Sequence, residues 1–122
     1  MKLELSALPK TWIIDLDGTI VQHNGYKNAE DTLLDGVKDF FNRINSNDSI
    51  IFLTARKSIY KDRTISFLKK HNLRFNHIIF DLPIGERILL NDDKPSGLIM
   101  GHVINKMRDT KLEIELHINE DL

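Results

Sequence analysis

Short apolar runs that each break off into polar residues constrain this chain more than any other feature. Thr11 to Leu16 (TWIIDL) runs into Asp-Leu-Asp-Gly, Ser49 to Leu53 (SIIFL) into Thr-Ala-Arg, and Arg87 to Leu90 (RILL) into Asn-Asp-Asp-Lys. Apolar runs of this length, bounded by turn residues, read as buried strands. Between the first two, Leu33, Val37, Phe40, Phe41 and Ile44 recur at helical spacing, which predicts an amphipathic helix over Thr32–Asn45. Asn45 to Asp48 (NSND) is turn chemistry. Ser58 suits the N-cap of a basic helix reaching about His71, with Ile65 and Leu68 inward. His77 to Phe80 predicts a further short strand, followed by a Leu82-Pro83-Ile84-Gly85 turn. Pro95 and Ser96 suit the start of a helix to about Met107, against which Gly97 and Gly101 count. Leu112, Ile114, Leu116 and Ile118 alternate with Glu113, Glu115 and His117, the period of a terminal edge strand with one wet face. Strands alternating with helices predict an α/β fold with a mostly parallel sheet flanked by helices.

Size limits the organisation. At 122 residues the chain has room for one domain, residues 1–122, and no repeat or long linker divides it. Charge is balanced, with 17 Lys+Arg against 18 Asp+Glu, so no bulk basic field favours nucleic acid or a membrane surface. The absence of cysteine excludes a disulfide scaffold, a thiolate zinc site and a cysteine nucleophile. No apolar run approaches the roughly 20 residues of a bilayer span. Glu4 interrupts the stretch where a signal peptide needs apolar residues, so the expected compartment is the cytoplasm.

The chemistry lies where the apolar runs end. In Asp15-Leu16-Asp17-Gly18-Thr19, two carboxylates two apart leave an extended backbone on the same side. At the carboxyl end of a strand in an open α/β sheet they stand where such folds bind ligands. Paired acids can hold a hard cation such as Mg²⁺, and one of them can attack an electrophile; the bland alternative is an Asp-Gly turn that merely ends a strand. Thr54-Ala55-Arg56 offers a hydroxyl and backbone N–H groups to a phosphoryl oxygen, or simply a helix-capping Thr. Asn91-Asp92-Asp93-Lys94 offers further acids and a cation, or an acidic surface turn. A parallel sheet would gather all three at one edge.

That order of paired acids, hydroxyl and acidic pair resembles the haloacid dehalogenase-like (HAD) hydrolase superfamily over about residues 11–105, and most specifically in DLDGT. The resemblance implies a Rossmann-like domain and a Mg²⁺-dependent phosphatase working through an aspartyl-phosphate. Asp15 would be the nucleophile, Asp17 the general acid/base and Thr54 a phosphoryl-oxygen ligand. Asp92 would bind Mg²⁺ with Asp15 and the Asp17 carbonyl, with Asp93 in reserve. Arg87 is the first choice for the family's Lys or Arg between the second and fourth motifs, although no position matches cleanly. Gly18, Thr19, Ala55, Arg56, Lys57 and Lys94 would line the substrate.

A helix and a strand fill most of the interval from Asp17 to Thr54, leaving Gly18 to Asp31 for a small flap and no room for a cap domain. The chain is therefore similar to capless members, which often close their sites by forming homo-oligomers or act on large or exposed phosphate groups. TARKS and FDLPIGERILLNDDKPSG also resemble small hydrolases of bacterial capsule and polysaccharide biosynthesis, which would make a sugar phosphate or nucleotide-type phosphomonoester the substrate. Arg56, Lys57, Lys61 and Arg63 could grip such an anion or form a solvated helix face. The five histidines show no metal-ligand spacing, Trp12 reads as packing, and Tyr26 could reach substrate. Two other functions compete: a phospho-accepting receiver domain, suggested by Ile78 to Pro83 (IIFDLP) but opposed by motif order, and a catalytically retired binding module.

Overall fold

The computed structural model describes residues 1–122, the Asn28 side chain excepted. Its elements run β1 (Lys2–Leu5), β2 (Thr11–Asp15), α1 (Gly25–Asn28), α2 (Val37–Arg43), β3 (Ser49–Leu53), a 3-10 turn (Ser58–Tyr60), α3 (Lys61–Lys70), β4 (His77–Ile79) and β5 (Glu115–Ile118). Every strand pairing is parallel, which makes the chain α/β. The strands form a three-stranded sheet ordered β2-β3-β4 and a separate pair, β1-β5. Asp15 pairs with Leu53 and Leu53 with Ile79, so β2, β3 and β4 all finish at the same end.

Strand alternation gives this sheet two unlike faces. Ile14, Ile50 and Phe52 point to the face that α2 and α3 cover, and all three are buried. Val37, Phe40, Phe41 and Ile44 supply the α2 side at the predicted spacing, and Leu68 the α3 side. The aromatic rings form a chain: Trp12 on Phe40 at 5.4 Å between centroids, Phe40 on Phe41 at 6.0 Å, Phe41 on Phe52 at 5.9 Å and Phe52 on Phe75 at 5.8 Å. Offset and edge-to-face contacts in this range stabilise a core beyond the area they bury. The other face is poorly covered, and Ile13 and Ile79 are about half exposed on it, at 51% and 45%.

Several expectations are corrected. The helix expected over Thr32–Asn45 begins only at Val37. Gly36 precedes it with φ 82°, and Leu33 stays outside, joined to Val21 by an antiparallel bridge. In the basic helix Thr64, rather than Ile65, is buried beside Leu68, and Ser58 is not the N-cap: it follows Lys57, and its N–H donates to the Asp81 carboxylate at 3.0 Å. Arg87 to Leu90 is no strand. It pairs with nothing, and Ile88 and Leu90 are more than 90% exposed. A strand without a neighbour has no ladder to satisfy its backbone. The expected helix after Pro95 is absent too: Gly97 takes φ 87° in a turn closed by its N–H on the Lys94 carbonyl. Left-handed backbone ends a right-handed helix. The C-terminal alternation does end in a strand, but only from Glu115. Leu112 and Ile114, ahead of it, are buried in the main core. Its partner β1 was not foreseen, because the two segments lie at opposite ends of the chain. Among the described residues, no helix is long and apolar enough to cross a membrane.

Gly36 tests how tightly the C-terminal segment is seated. A Cβ there would stand 2.1 Å from the Leu112 carbonyl oxygen, at a positive φ that side chains rarely adopt. The contact is sealed by the Leu112 N–H donating to the Asp35 carbonyl at 2.8 Å. Gly36→Ala should destabilise the fold by roughly 3 kcal/mol through strain and overpacking. A thermal melt checks this, with an expected Tm fall of about 10 °C.

Candidate functional site

The DLDGT turn is built by one carbonyl. After β2 the Leu16 oxygen accepts the N–H groups of Thr19, Ile20 and Val21, at 3.2, 2.9 and 3.2 Å. Gly18 makes this reversal possible at φ 84°, and its N–H donates to the Val21 carbonyl at 2.7 Å. Ile20 and Val21 then enter the core. The flap expected over Gly18–Asp31 is therefore rooted in the interior, and residues 22–31, with the short α1, run over it with Tyr26 and Asp31 turned inward.

Asp15 closes β2 at the edge of a groove of about 970 Å³. One of its oxygens accepts Arg87 Nη1 at 2.7 Å and the other accepts the Thr19 hydroxyl at 3.2 Å. Asp15 and Arg87 are each about a third exposed, so water screens the pair and its contribution to stability is small. The segment expected to be a strand thus still brings Arg87 to the first acid. Thr54, following β3, is buried; its hydroxyl accepts the Arg56 N–H at 3.0 Å. That is a local turn-capping bond, and it fixes the hydroxyl at the end of the strand beside β2.

Asp17 has a different setting. Arg56 Nε and Nη2 hold its two oxygens at 3.1 and 2.9 Å. The same guanidinium reaches Asp31 through Nη1 and Nη2, at 2.9 and 2.7 Å, and Nη1 also reaches the Thr64 hydroxyl at 3.0 Å. The Tyr26 ring lies 4.1 Å from its central carbon, within cation–π range. Burial alone would lower the Arg56 guanidinium; the hydrogen bonds it donates to Asp31 and Asp17, and their charges, outweigh it, and the net shift is upward. Burial, and then the Asp17 charge, raise the Tyr26 phenol.

These contacts revise the expected substrate residues. A guanidinium has five N–H donors, and all five of Arg56 are engaged, so it has none to offer a ligand. Tyr26 packs against Arg56 and Tyr60, and the little of its surface that stays open lines the groove. Arg63 tethers the outer segment through the Ala29 and Tyr26 carbonyls, at 3.2 and 3.4 Å. Thr19 and Ala55 line the groove. Gly18 is buried, and its carbonyl accepts the Asp109 N–H at 2.9 Å and Lys106 Nζ at 3.3 Å. Lys57 and Lys94 are exposed outside the groove lining.

Sequence reasoning missed Asp31, Thr64 and residues 106–109. Lys106 and Arg108 line the groove. Asp109 accepts the His23 N–H at 2.7 Å, while burial lowers the Lys106 ammonium against the opposing pull of Asp109. No local pattern marks Asp31 or residues 106–109, since their partners lie 25 or more positions away in the chain.

Asp92 and Asp93 lie exposed in the irregular segment after Leu90. Among the described residues, no group of three or more His, Asp or Glu side chains is placed to hold a metal ion. The third motif therefore does not join the other two. No protein-family model, curated protein or solved structure matches the chain. What supports a function is the pairing at the ends of β2 and β3: an accessible carboxylate with a cation on one oxygen, beside a buried threonine.

Proposed function

We propose that the chain is a HAD-like phosphatase with a Rossmann-like domain and no cap, hydrolysing a phosphomonoester of the sugar-phosphate or nucleotide type through an aspartyl-phosphate. The observation that carries this reading is Asp15, open to the groove at the end of β2 and held by Arg87 and Thr19. An Asp15 oxygen would attack phosphorus as the bond to the leaving oxygen breaks, and that oxygen would take a proton from Asp17. Water would then attack the phosphoryl group, returning a proton to Asp17 and releasing inorganic phosphate and the Asp15 carboxylate. Such transfer depends mostly on positioning and charge neutralisation. Arg87, paired with Asp15, could move onto the phosphoryl oxygens as they arrive. Acid/base work by Asp17 requires one Arg56 contact to open, because both its oxygens are engaged.

Mg²⁺ belongs to this proposal through the resemblance. Carboxylate oxygens suit it chemically, and it commonly keeps waters around one or two carboxylates. The fit in number is incomplete, since Asp92 and Asp93 are not gathered with Asp15 and Asp17. When bound, it would neutralise phosphoryl charge.

Purified protein incubated with Mg²⁺ and a panel of sugar phosphates and nucleotides should release phosphate over many turnovers, and chelator should stop it. One phosphate retained per chain would indicate a receiver domain, and no phosphoryl chemistry at all would indicate a retired module.

A further inference from the structure

One guanidinium joins the second acid of the DLDGT turn to the far end of the outer segment. Asp17 occupies one edge of Arg56 and Asp31 the adjacent edge, both bidentate. Bidentate pairing fixes orientation as well as distance. Arg56 and Asp31 are almost fully buried and Asp17 largely so. We infer that Arg56 is a positioning residue: it sets the Asp17 carboxylate, and through Asp31 it makes that setting depend on residues 22–31 being docked.

Three independent features support this. The Arg56 backbone is fixed at the sheet end, its N–H on the Thr54 hydroxyl and its carbonyl accepting the Asp81 N–H at 2.8 Å. Its side chain is constrained in the plane by the two acids and by Thr64 of α3, whose hydroxyl in turn donates to the Tyr60 carbonyl at 2.8 Å. The face is constrained by Tyr26, which belongs to the outer segment. Lifting residues 22–31 removes Asp31 and Tyr26 together. The guanidinium then keeps Asp17 and Thr64 but loses two of its five hydrogen bonds and the ring over its face, and with the freed N–H groups open to water it is no longer held in one orientation. Asp17 would move with it. A lysine cannot substitute, because an ammonium is a point charge with three donors and cannot chelate two carboxylates.

The catalytic half of this inference rests on the proposed phosphatase reading; the docking half does not. Asp31→Asn and Arg56→Lys can be compared with the parent by backbone hydrogen exchange and by phosphate-release kinetics, Asp31→Asn being the milder change should Arg56→Lys fold poorly. Exchange over residues 22–31 should quicken about tenfold or more while β2 and β3 stay protected. The kcat should fall at least about tenfold with KM changed less than about threefold, since misplacing a reacting group slows chemistry rather than binding. Unaltered exchange over residues 22–31 would overturn the docking role. A changed KM with kcat retained would overturn the positioning role and assign these residues to substrate binding. A parent that releases no phosphate would defeat the phosphatase reading and with it the setting of Asp17 for chemistry, while exchange would still decide whether Arg56 holds the segment.

Discussion

Asp15→Asn should abolish phosphate release and leave the fold unchanged. The neutral amide that replaces the carboxylate is a far poorer nucleophile, and under the proposed mechanism the residue that would form the covalent intermediate has no substitute within the turn. Losses of roughly a thousandfold or more follow removal of such groups. Structure should survive because nothing buried depends on the charge. Asp15 is about a third exposed, its pair with Arg87 is screened, and an amide oxygen can still accept the Thr19 hydroxyl. The checks are phosphate release under saturating substrate and a thermal melt, with a Tm close to that of the parent. Unchanged turnover in this variant would sink the assignment of Asp15.

The largest effect on stability is expected at Phe52. Its ring is fully buried near the end of β3, between Phe41 at 5.9 Å and Phe75 at 5.8 Å. Phe52→Ala removes the contact through which α2 and the segment before β4 meet the sheet, and it leaves a cavity that fixed strands cannot collapse. We expect a loss of about 4 kcal/mol, a large share of the roughly 5 to 15 kcal/mol that holds a typical domain folded. Denaturant unfolding with an unchanged m-value would measure it. A loss below about 1 kcal/mol would show that the core repacks around the gap.

The two predictions draw on different kinds of legibility. The Phe40 and Phe41 spacing and the SIIFL run were readable because a buried helix face and a buried strand each impose a local period. The same holds for Asp15 and Thr54. Each directly ends or follows a local apolar run, and parallel pairing carries both to one end of the sheet. Arg87 was legible as a cation, and its contact with Asp15 was formed without the strand expected around it. Asp92 and Asp93 were expected at the site because Arg87 to Leu90 read as a strand ending there and because the acidic pair resembles the family's fourth motif. With that pairing missing, the acids remain in solvent.

Arg56 marks the other boundary. In sequence it is a cation in a basic stretch beside a candidate phosphate site, which favours an anionic ligand. In the fold it lies under the outer segment with two internal carboxylates, and its charge is spent inside the protein. By itself the sequence determined the parallel α/β class, the position of the aromatic core and the two strand ends where Asp15 and Thr54 lie, because periodicity and turn chemistry act over a few residues. Only the tertiary structure decided that β1 pairs with β5, that Asp31 and Asp17 share one guanidinium, and that the acidic third motif stands apart. Those contacts join residues from 25 to more than 100 positions apart, and no local pattern encodes which distant partner a buried charge or an open strand edge will find.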